Sequence, residues 1–447
     1  MRGKITRGLM VMAALMLGLG WYCFGNPAIT LAGQTSATTV SVNPASATLS
    51  GCETIAVEIW VNDVIGLYGA DVKITFDPAV LEVQDDDPIR TGVQVQVGDF
   101  LSPDFVLFNT ADNLNGTIRY TSTQLNPTPP ASGSGKLIII HFRAKTSGSS
   151  SIHFNLIELA NREGGGISAT GVDGLVTANA PASPILTIAK LNASDARLSW
   201  TSVGGAADYR LYRGTAPYFT PADPAYQTLS STQYDDVGVL GNPATNYFYT
   251  VKAVCPNGML SENSNRVGEF DFALIRNTSN TIALPLIDPA LQTADQLGLA
   301  TGSSKVSEWV AESSLFRTRM VGITGVNFAL QTGRGYFIRT NANPTPTVFT
   351  TVGGVPEAGS VTFSIYRETT CKLNLLSVPL DHPELNTALK LANSIGGVPK
   401  ISEWIASSSG GYFRTYLVGI GPVNFTTMPG YPYWPCANTS GGGAVWP

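Results

Sequence analysis

Residues 54–83, TIAVEIWVNDVIGLYGADVKITFDPAVLEV, decide how this chain is read. Strict alternation puts Ile55, Val57, Ile59 and Val61 on one face of a strand, and Ala70, Val72, Ile74 and Phe76 on one face of a second. Between them, Asn62-Asp63 and the span from Gly66 to Gly69 supply turn chemistry. Beyond them, Asp77-Pro78 reads as an N-cap with proline opening a short helical turn. Two half-buried strands of this kind point to an all-β sandwich.

The run N-D-V-x-G-L-x-G-A-D (62–71), then F-D-P-x-V-L-E-V (76–83), is followed in order by three further motifs. These are Gly98-Asp99-Phe100-Leu101, Asn115-Gly116-Thr117-Ile118 and Ser132-Gly133-Ser134-Gly135-Lys136-Leu137, ahead of an Ile140 to Phe142 strand. Over residues 38–178 the chain resembles the cohesin family, the receptor modules of cellulosome scaffolds. The resemblance implies a nine-stranded jelly-roll sandwich that recognises a dockerin-bearing protein, with the calcium carried by that partner.

The chain has 447 residues, enough for several domains. Charged residues are only 13%, and the net charge is -5. That balance offers no basic patch for nucleic acid and no polybasic segment for a membrane surface. Arg2, Lys4 and Arg7 precede an apolar run from Leu9 to Gly20, with a small-residue site at Thr30-Leu31-Ala32. Residues 1–33 therefore read as a secretory signal peptide, with a retained anchor as the alternative, and the expected location is secreted or at the cell surface. Cys23 follows Trp21-Tyr22 and not a lipobox. Four further cysteines, Cys52, Cys255, Cys371 and Cys436, lack C-x-x-C spacing. Cys371 and Cys436 flank one module and form a candidate disulfide, while Cys52 and Cys255 lie in different expected domains and read as free or buried.

The expected domains are 34–180 (cohesin-like), 181–268, 269–360 and 361–447. The small-residue stretch Ala178 to Pro184 is the first linker. Residues 181–268 resemble a fibronectin type III module, on Leu198-Ser199-Trp200, Tyr209 to Arg213, and TNYFYTVKAV from Thr245 to Val254. The resemblance makes Trp200 a core tryptophan and Tyr247 a tyrosine corner. The remainder repeats itself: NTIALPL (280–286) recurs as NLLSVPL (374–380), KVSEW (305–309) as KISEW (400–404), and FRTRMVGITGVNF (316–328) as FRTYLVGIGPVNF (413–425). In the second copy Leu385, Ala388, Leu389, Ala392 and Ile395 share a helical face, as do Pro289, Leu291, Ala294 and Leu297 in the first. The fold class expected is thus all-β and multidomain: two sandwiches, then two mostly-β repeats each with a short helix.

Signatures of catalysis are absent from the sequence. His141, His153 and His382 have no ligand-spaced neighbours, and no G-x-S-x-G elbow, H-E-x-x-H or phosphate loop occurs. Asp85-Asp86-Asp87 and Asp235-Asp236 sit beside turn residues, where Asp is favoured for its own hydrogen bonds. Glu308 and Glu403 precede tryptophans at matched repeat positions, which suits a repeated fold feature better than two active sites. The 111–116 stretch has the glycine of a calcium loop, but Ala111 and Ser122 stand where acidic ligands belong. No enzyme activity, metal or cofactor is expected. Aromatic residues carry the candidate sites. Trp60 and Ile139 point away from the apolar strand face and form a candidate docking platform. Trp309, Tyr336 and Phe337, repeated as Trp404, Tyr433 and Trp434, are either sugar-stacking platforms or core. The function expected is an exported, non-catalytic adhesion protein that binds a dockerin-bearing partner or polysaccharide near extracellular polysaccharide breakdown. A carbohydrate-binding protein and a purely structural surface protein are the alternatives.

Overall fold

A computed structural model describes residues 37–342 and 346–447. The expected signal segment, 1–33, lies outside the described residues. Among the described residues nearly all regular structure is β, with two short helices. Among the described residues no helix is long and apolar enough to cross a membrane.

The first module is built from β1 (Thr39–Asn43), β2 (Ser46–Ser50), β3 (Thr54–Leu67), β4 (Gly69–Thr75), β5 (Leu81–Val83), β6 (Gln96–Val97) and β7 (Phe105–Asp112). It continues with β8 (Thr117–Thr123), β9 (Ala131–Ala144), β10 (Gly148–Ala160), β11 (Gly166–Ile167), β12 (Thr170–Val172) and β13 (Gly174–Asn179). One sheet runs β12-β1-β3-β9-β5, with β6 also on β9; the other runs β2-β13-β10-β4-β8-β7, with β11 on β10. Val57, Ile59 and Val61 from β3 and Val72 and Ile74 from β4 meet in one core at 0–1% exposure. Each such side chain contributes about 1.5–3 kcal/mol relative to exposure.

Asn62-Asp63 is not the turn expected of it. β3 continues to Leu67 through irregularities in its pairing with β9, between Val61 and Val64 and between Val64 and Leu67. Asp63 (φ 53°) and Gly66 (φ 71°) absorb the extra residues. Val64 and Leu67 stay buried as a result, and the chain reverses only at Tyr68. The Gly98-Asp99-Phe100-Leu101 motif crosses β9, with Gly98 and Phe100 donating to the Leu137 and Lys136 carbonyls at 2.8 and 3.1 Å. A Cβ at Gly98 would overlap the Lys136 carbonyl, so only glycine permits this approach.

The second region has a three-stranded sheet, β14 (Leu186–Lys190), β15 (Ala196–Trp200) and β18 (Gln233–Asp236). A second sheet runs β17 (Gln227–Leu229), β16 (Asp208–Gly214), β19 (Phe248–Val254), β20 (Val267–Ala273). Trp200 is 6% exposed within their shared core. The fully buried tyrosine here is Tyr249, whose hydroxyl donates to Asp236 at 2.8 Å, whereas Tyr247 is half-buried beneath the Arg213 guanidinium. The 178–184 stretch begins inside β13 and is not a free tether. Cys52 and Cys255, expected to be free or buried, are buried and disulfide-bonded to each other, with their Cα atoms 4.9 Å apart. Beside that bond Asn257 donates to the Ala144 carbonyl, and Met259 packs on the first module's core.

The boundary expected at 268/269 falls inside β20. A strand from far downstream, β25 (Val348–Gly354), pairs with β20 from Val267↔Gly354 to Ala273↔Val348, so the sheet continues across it. Within this seam Glu269 and Asp271 are 0% and 1% exposed.

The rest contains two sheets of like order. One is β21 (Ser279–Ala283), β24 (Gly335–Thr340), β22 (Ser303–Val310), β23 (Leu315–Met320). The other is β27 (Lys372–Leu373), β31 (Pro432–Ala437), β29 (Lys400–Ile405), β30 (Tyr412–Leu417), with β28 (Leu376–Ser377) also on β31. β26 (Phe363–Ser364) pairs with β32 (Val445–Trp446). Helices α1 (Ala294–Thr301) and α2 (Ala388–Ile395) start several residues after Pro289 and Pro383, at Thr293 and Thr387, because these threonines cap the first turn. Cys371 and Cys436 are disulfide-bonded, Cα to Cα 5.2 Å.

Candidate functional site

Two surfaces have the makings of a site: the outer faces of the first module's sheets, and a cleft between the duplicated sheets.

On the β12-β1-β3-β9-β5 sheet, alternation turns Glu58, Trp60 and Ile139 outward, as expected. Trp60 is not an open platform, however. Its Nε1 donates to Glu58 Oε2 at 2.7 Å, and Glu58 also takes the Asn43 amide and lies 3.5 Å from Lys136 Nζ. The Trp60 hydrogen bond, with help from Asn43 and Lys136, holds the Glu58 carboxyl below the usual carboxylate range. Ile139 sits between Glu58 on β3 and Gln96 on β6. On this face Trp60 and Ile139 are half-buried, and Trp60 is tied into a polar network with Glu58.

The opposite sheet is more open. Cross-strand register lines up Phe108, Thr121, Asp71 and Glu158 as one row, and Thr110, Arg119, Lys73 and Leu156 as the next. Arg119 binds Asp71 (Nη2 to Oδ2, 2.9 Å), and its guanidinium lies 4.1 Å from the Phe108 ring centroid. Phe105 and Leu107, on the edge strand β7, are 51% and 57% exposed. Apolar and charged groups are therefore mixed on this solvent-facing sheet. Alternation along β4 and β8 contained this face, but mixed polar residues look like any solvated strand side.

The cleft, of about 640 Å³, arises where the duplicated sheets face each other. Register puts Lys305, Ser307 and Trp309 of β22 beside Phe316 and Thr318 of β23, and Lys400, Ser402 and Trp404 of β29 beside Phe413 and Thr415 of β30. Phe337 and Trp434 occupy matching places on β24 and β31, opposite Ser307 and Ser402. Each repeat's tryptophan reaches into the other: Trp309 Nε1 donates to the Leu373 carbonyl at 2.9 Å, and Trp404 Nε1 to the Ser279 carbonyl at 2.8 Å. Trp404→Phe keeps a ring and removes this donor, and should lower stability by about 1 kcal/mol, read as a shift in the denaturant midpoint.

Of the aromatic residues expected as platforms, Tyr336 and Tyr433 are core. They are 0% and 1% exposed, their hydroxyls accepting the Gln331 and Met428 amides at 2.7 and 2.9 Å. No ring face remains for a ligand. Trp309 is half-buried in the cleft wall and Trp434 lines the floor at 4% exposure, whereas Trp404, also half-buried, packs behind the wall on Phe337 and Phe413. Phe316 and Phe413, not singled out from the sequence, are each 49% exposed. The alternation in K-x-S-x-W and F-x-T puts these residues on one strand face and is the signal that could have found them. The rings meet at 54° to 90°, so they do not form parallel sugar platforms. Glu308 and Glu403 point to the other side of their strands, each ion-paired with an arginine of the neighbouring strand, Arg317 and Arg414. Burial pushes the Glu403 carboxyl up, against the pull of Arg414.

His141 and His153 lie in different sheets, bonded to Asp86 at 2.9 Å and Asp173 at 2.5 Å, and His382 to Glu384 at 2.8 Å. Among the described residues no group of three or more His, Cys, Asp or Glu is placed to hold a metal ion.

No curated protein matches the chain. Solved structures similar to it include a non-cellulosomal cohesin from the hyperthermophilic archaeon Archaeoglobus fulgidus (17% identity, 32% of this chain and 93% of that one, TM-score 0.26). Others are a chain of a type I cohesin–dockerin complex from Clostridium thermocellum (14%, 32% and 99%, TM-score 0.28) and a type II cohesin domain from the cellulosome of Acetivibrio cellulolyticus (16%, 31% and 95%, TM-score 0.28). Residues 38–177, the whole of the two-sheet first module up to its last strand, match the family model described as Cohesin domain.

Proposed function

We propose that this chain is an exported, non-catalytic adhesion protein whose first module binds a dockerin-bearing partner, with the calcium carried by that partner. The observation that carries this is the match of residues 38–177 to the Cohesin domain model. The docking face proposed is the outer side of β4, β8 and β7, because Phe105, Leu107 and Phe108 offer apolar area there beside Asp71, Arg119 and Glu158. A role outside the cell is supported by two disulfides, which persist in oxidising compartments. The link to polysaccharide breakdown would come through the partner.

The test is retention of calcium-loaded dockerin modules on the immobilised full chain, with and without a chelator. Retention released by the chelator is expected. Phe108→Asp with Arg119→Glu should weaken it at least tenfold, as loss of a central aromatic and arginine does at protein interfaces, while Trp60→Ala leaves it within about twofold. If no dockerin is retained, the receptor role is wrong. If only Trp60→Ala weakens retention, the docking face is the other sheet.

A further inference from the structure

The cleft between the duplicated sheets lies far along the chain from the first module, and its chemistry is independent of dockerin binding. Its volume, about 640 Å³, is within the range that holds small organic ligands. Three features define what it would take. First, the walls are aromatic, and the rings meet edge to face, which encloses a compact apolar body from several sides. Second, the charge in the cleft has one sign. Lys305 and Lys400 line it, no carboxylate does, and among the described residues neither ammonium has a carboxylate within ion-pair distance. Third, hydrogen-bond donors are left over. Ser307 and Thr318 share one bond at 2.7 Å, as do Ser402 and Thr415; each pair holds two O–H groups and uses one between them, so one proton per pair is free. Trp434, on the cleft floor, has a buried Nε1 with no acceptor among the described residues. A buried donor without a partner is costly.

We propose that this cleft binds a small organic anion: a carboxylate on an aryl or acyl body, with the apolar part among Phe316, Phe413, Trp309 and Trp434 and the carboxylate on a lysine and its neighbouring hydroxyl pair. Because both repeats supply the same lysine, hydroxyl pair and phenylalanine, the anion can be held at either end. The site exists only when the two copies face each other, which gives the duplication a use.

Calorimetric titration of the full chain with naphthalene-2-carboxylate and with dodecanoate tests this, with dodecyltrimethylammonium as the cation of matched chain length and cellohexaose as a neutral sugar. One carboxylate per chain is expected, bound at least tenfold more tightly than the cation and more weakly as salt rises. Lys305→Met with Lys400→Met should cost at least tenfold and remove the salt dependence. Phe316→Ser with Phe413→Ser should weaken both carboxylates by a similar factor. The two lysines are exposed, so their variant should keep the native circular dichroism and unfolding midpoint; the phenylalanines are half-exposed and pack on the neighbouring rings, so their variant should keep the native circular dichroism with a lower midpoint. Absence of carboxylate binding at millimolar concentration overturns the proposal. So does equal binding of the cation, binding that none of these substitutions alters, or binding of cellohexaose that the phenylalanine substitutions abolish.

Discussion

Replacing Cys52 and Cys255 together by serine is expected to lower the stability of the oxidised chain by up to about 5 kcal/mol and to free the first module from the second. The size follows from the loop the bond closes. The two cysteines are 203 positions apart, and cross-linking so long a segment removes much of the unfolded chain's freedom. Cys371 and Cys436 are 65 apart, so the same argument gives about 4 kcal/mol there. The two bonds differ more in kind than in size. The Cys371–Cys436 bond closes within one repeat, whereas Cys52–Cys255 ties the β2–β3 turn to the end of β19. Beside it lie the Asn257 bond to Ala144, the Met259 contact and the close approach of Gly205 to the Cys52 carbonyl. These are few anchors for two modules, so the junction depends largely on the disulfide. Thermal unfolding and limited proteolysis of the oxidised chain and the double serine variant check this. The variant should melt at a lower temperature and be cut within 180–184, where the oxidised chain resists. Equal midpoints and equal cleavage would mean that packing alone joins the modules.

How much of this was legible in the chain depends on the range of the interaction concerned. The inward faces of β3 and β4 are readable because burial repeats every second residue, and Val57, Ile59, Val61, Val72 and Ile74 are the core they predict. Asp63 misleads because Asn-Asp has turn chemistry in any context, and only pairing with β9 makes it a bulge. The Cys52–Cys255 pairing is invisible for the same reason: spacing along the chain says nothing about two modules that pack together. Tyr336 and Trp309 illustrate the limit at the site. Both are aromatic, both recur in the duplication, and both suit a wall or a core, yet alternation along β22 and β24 sends Trp309 into the cleft and Tyr336 to the opposite side of its sheet. What no repeat could announce is that the two sheets face each other, since that depends on the reciprocal bonds from Trp309 to Leu373 and from Trp404 to Ser279.

The seam at β20 carries the second large effect, a loss of stability as pH rises. Glu269 is fully buried; burial first, and the neighbouring Asp271 second, push its carboxyl up to about 9 from an ordinary value near 4.5. One oxygen accepts the Tyr247 amide at 2.5 Å. Asp271 beside it is already an acceptor for the Gly241 and Asn242 amides at 2.7 Å and for the Thr350 hydroxyl. The Glu269 carboxyl therefore holds its proton in the folded chain, and its second oxygen, Oε2, is buried with no hydrogen-bond partner among the described residues. A carboxyl whose folded pKa is raised favours the folded state fully below the unfolded value. That advantage drains away between about 4.5 and 9, at up to about 1.4 kcal/mol per pH unit, because the unfolded chain ionises and the folded one does not. Lys190 works the other way. Burial depresses its ammonium, against the pull of Asp288 and Asp271, so its contribution rises with pH. Comparing the native chain with Glu269→Gln isolates the carboxyl, since glutamine keeps the acceptor for the Tyr247 amide and nearly the same shape but cannot ionise. Unfolding midpoints at pH 5, 7 and 9 should fall for the native chain relative to the variant, with the variant the more stable at pH 9. Parallel profiles would show that Glu269 keeps the same protonation in the folded and unfolded chain, and that the seam between the second region and the first repeat does not respond to pH through this residue.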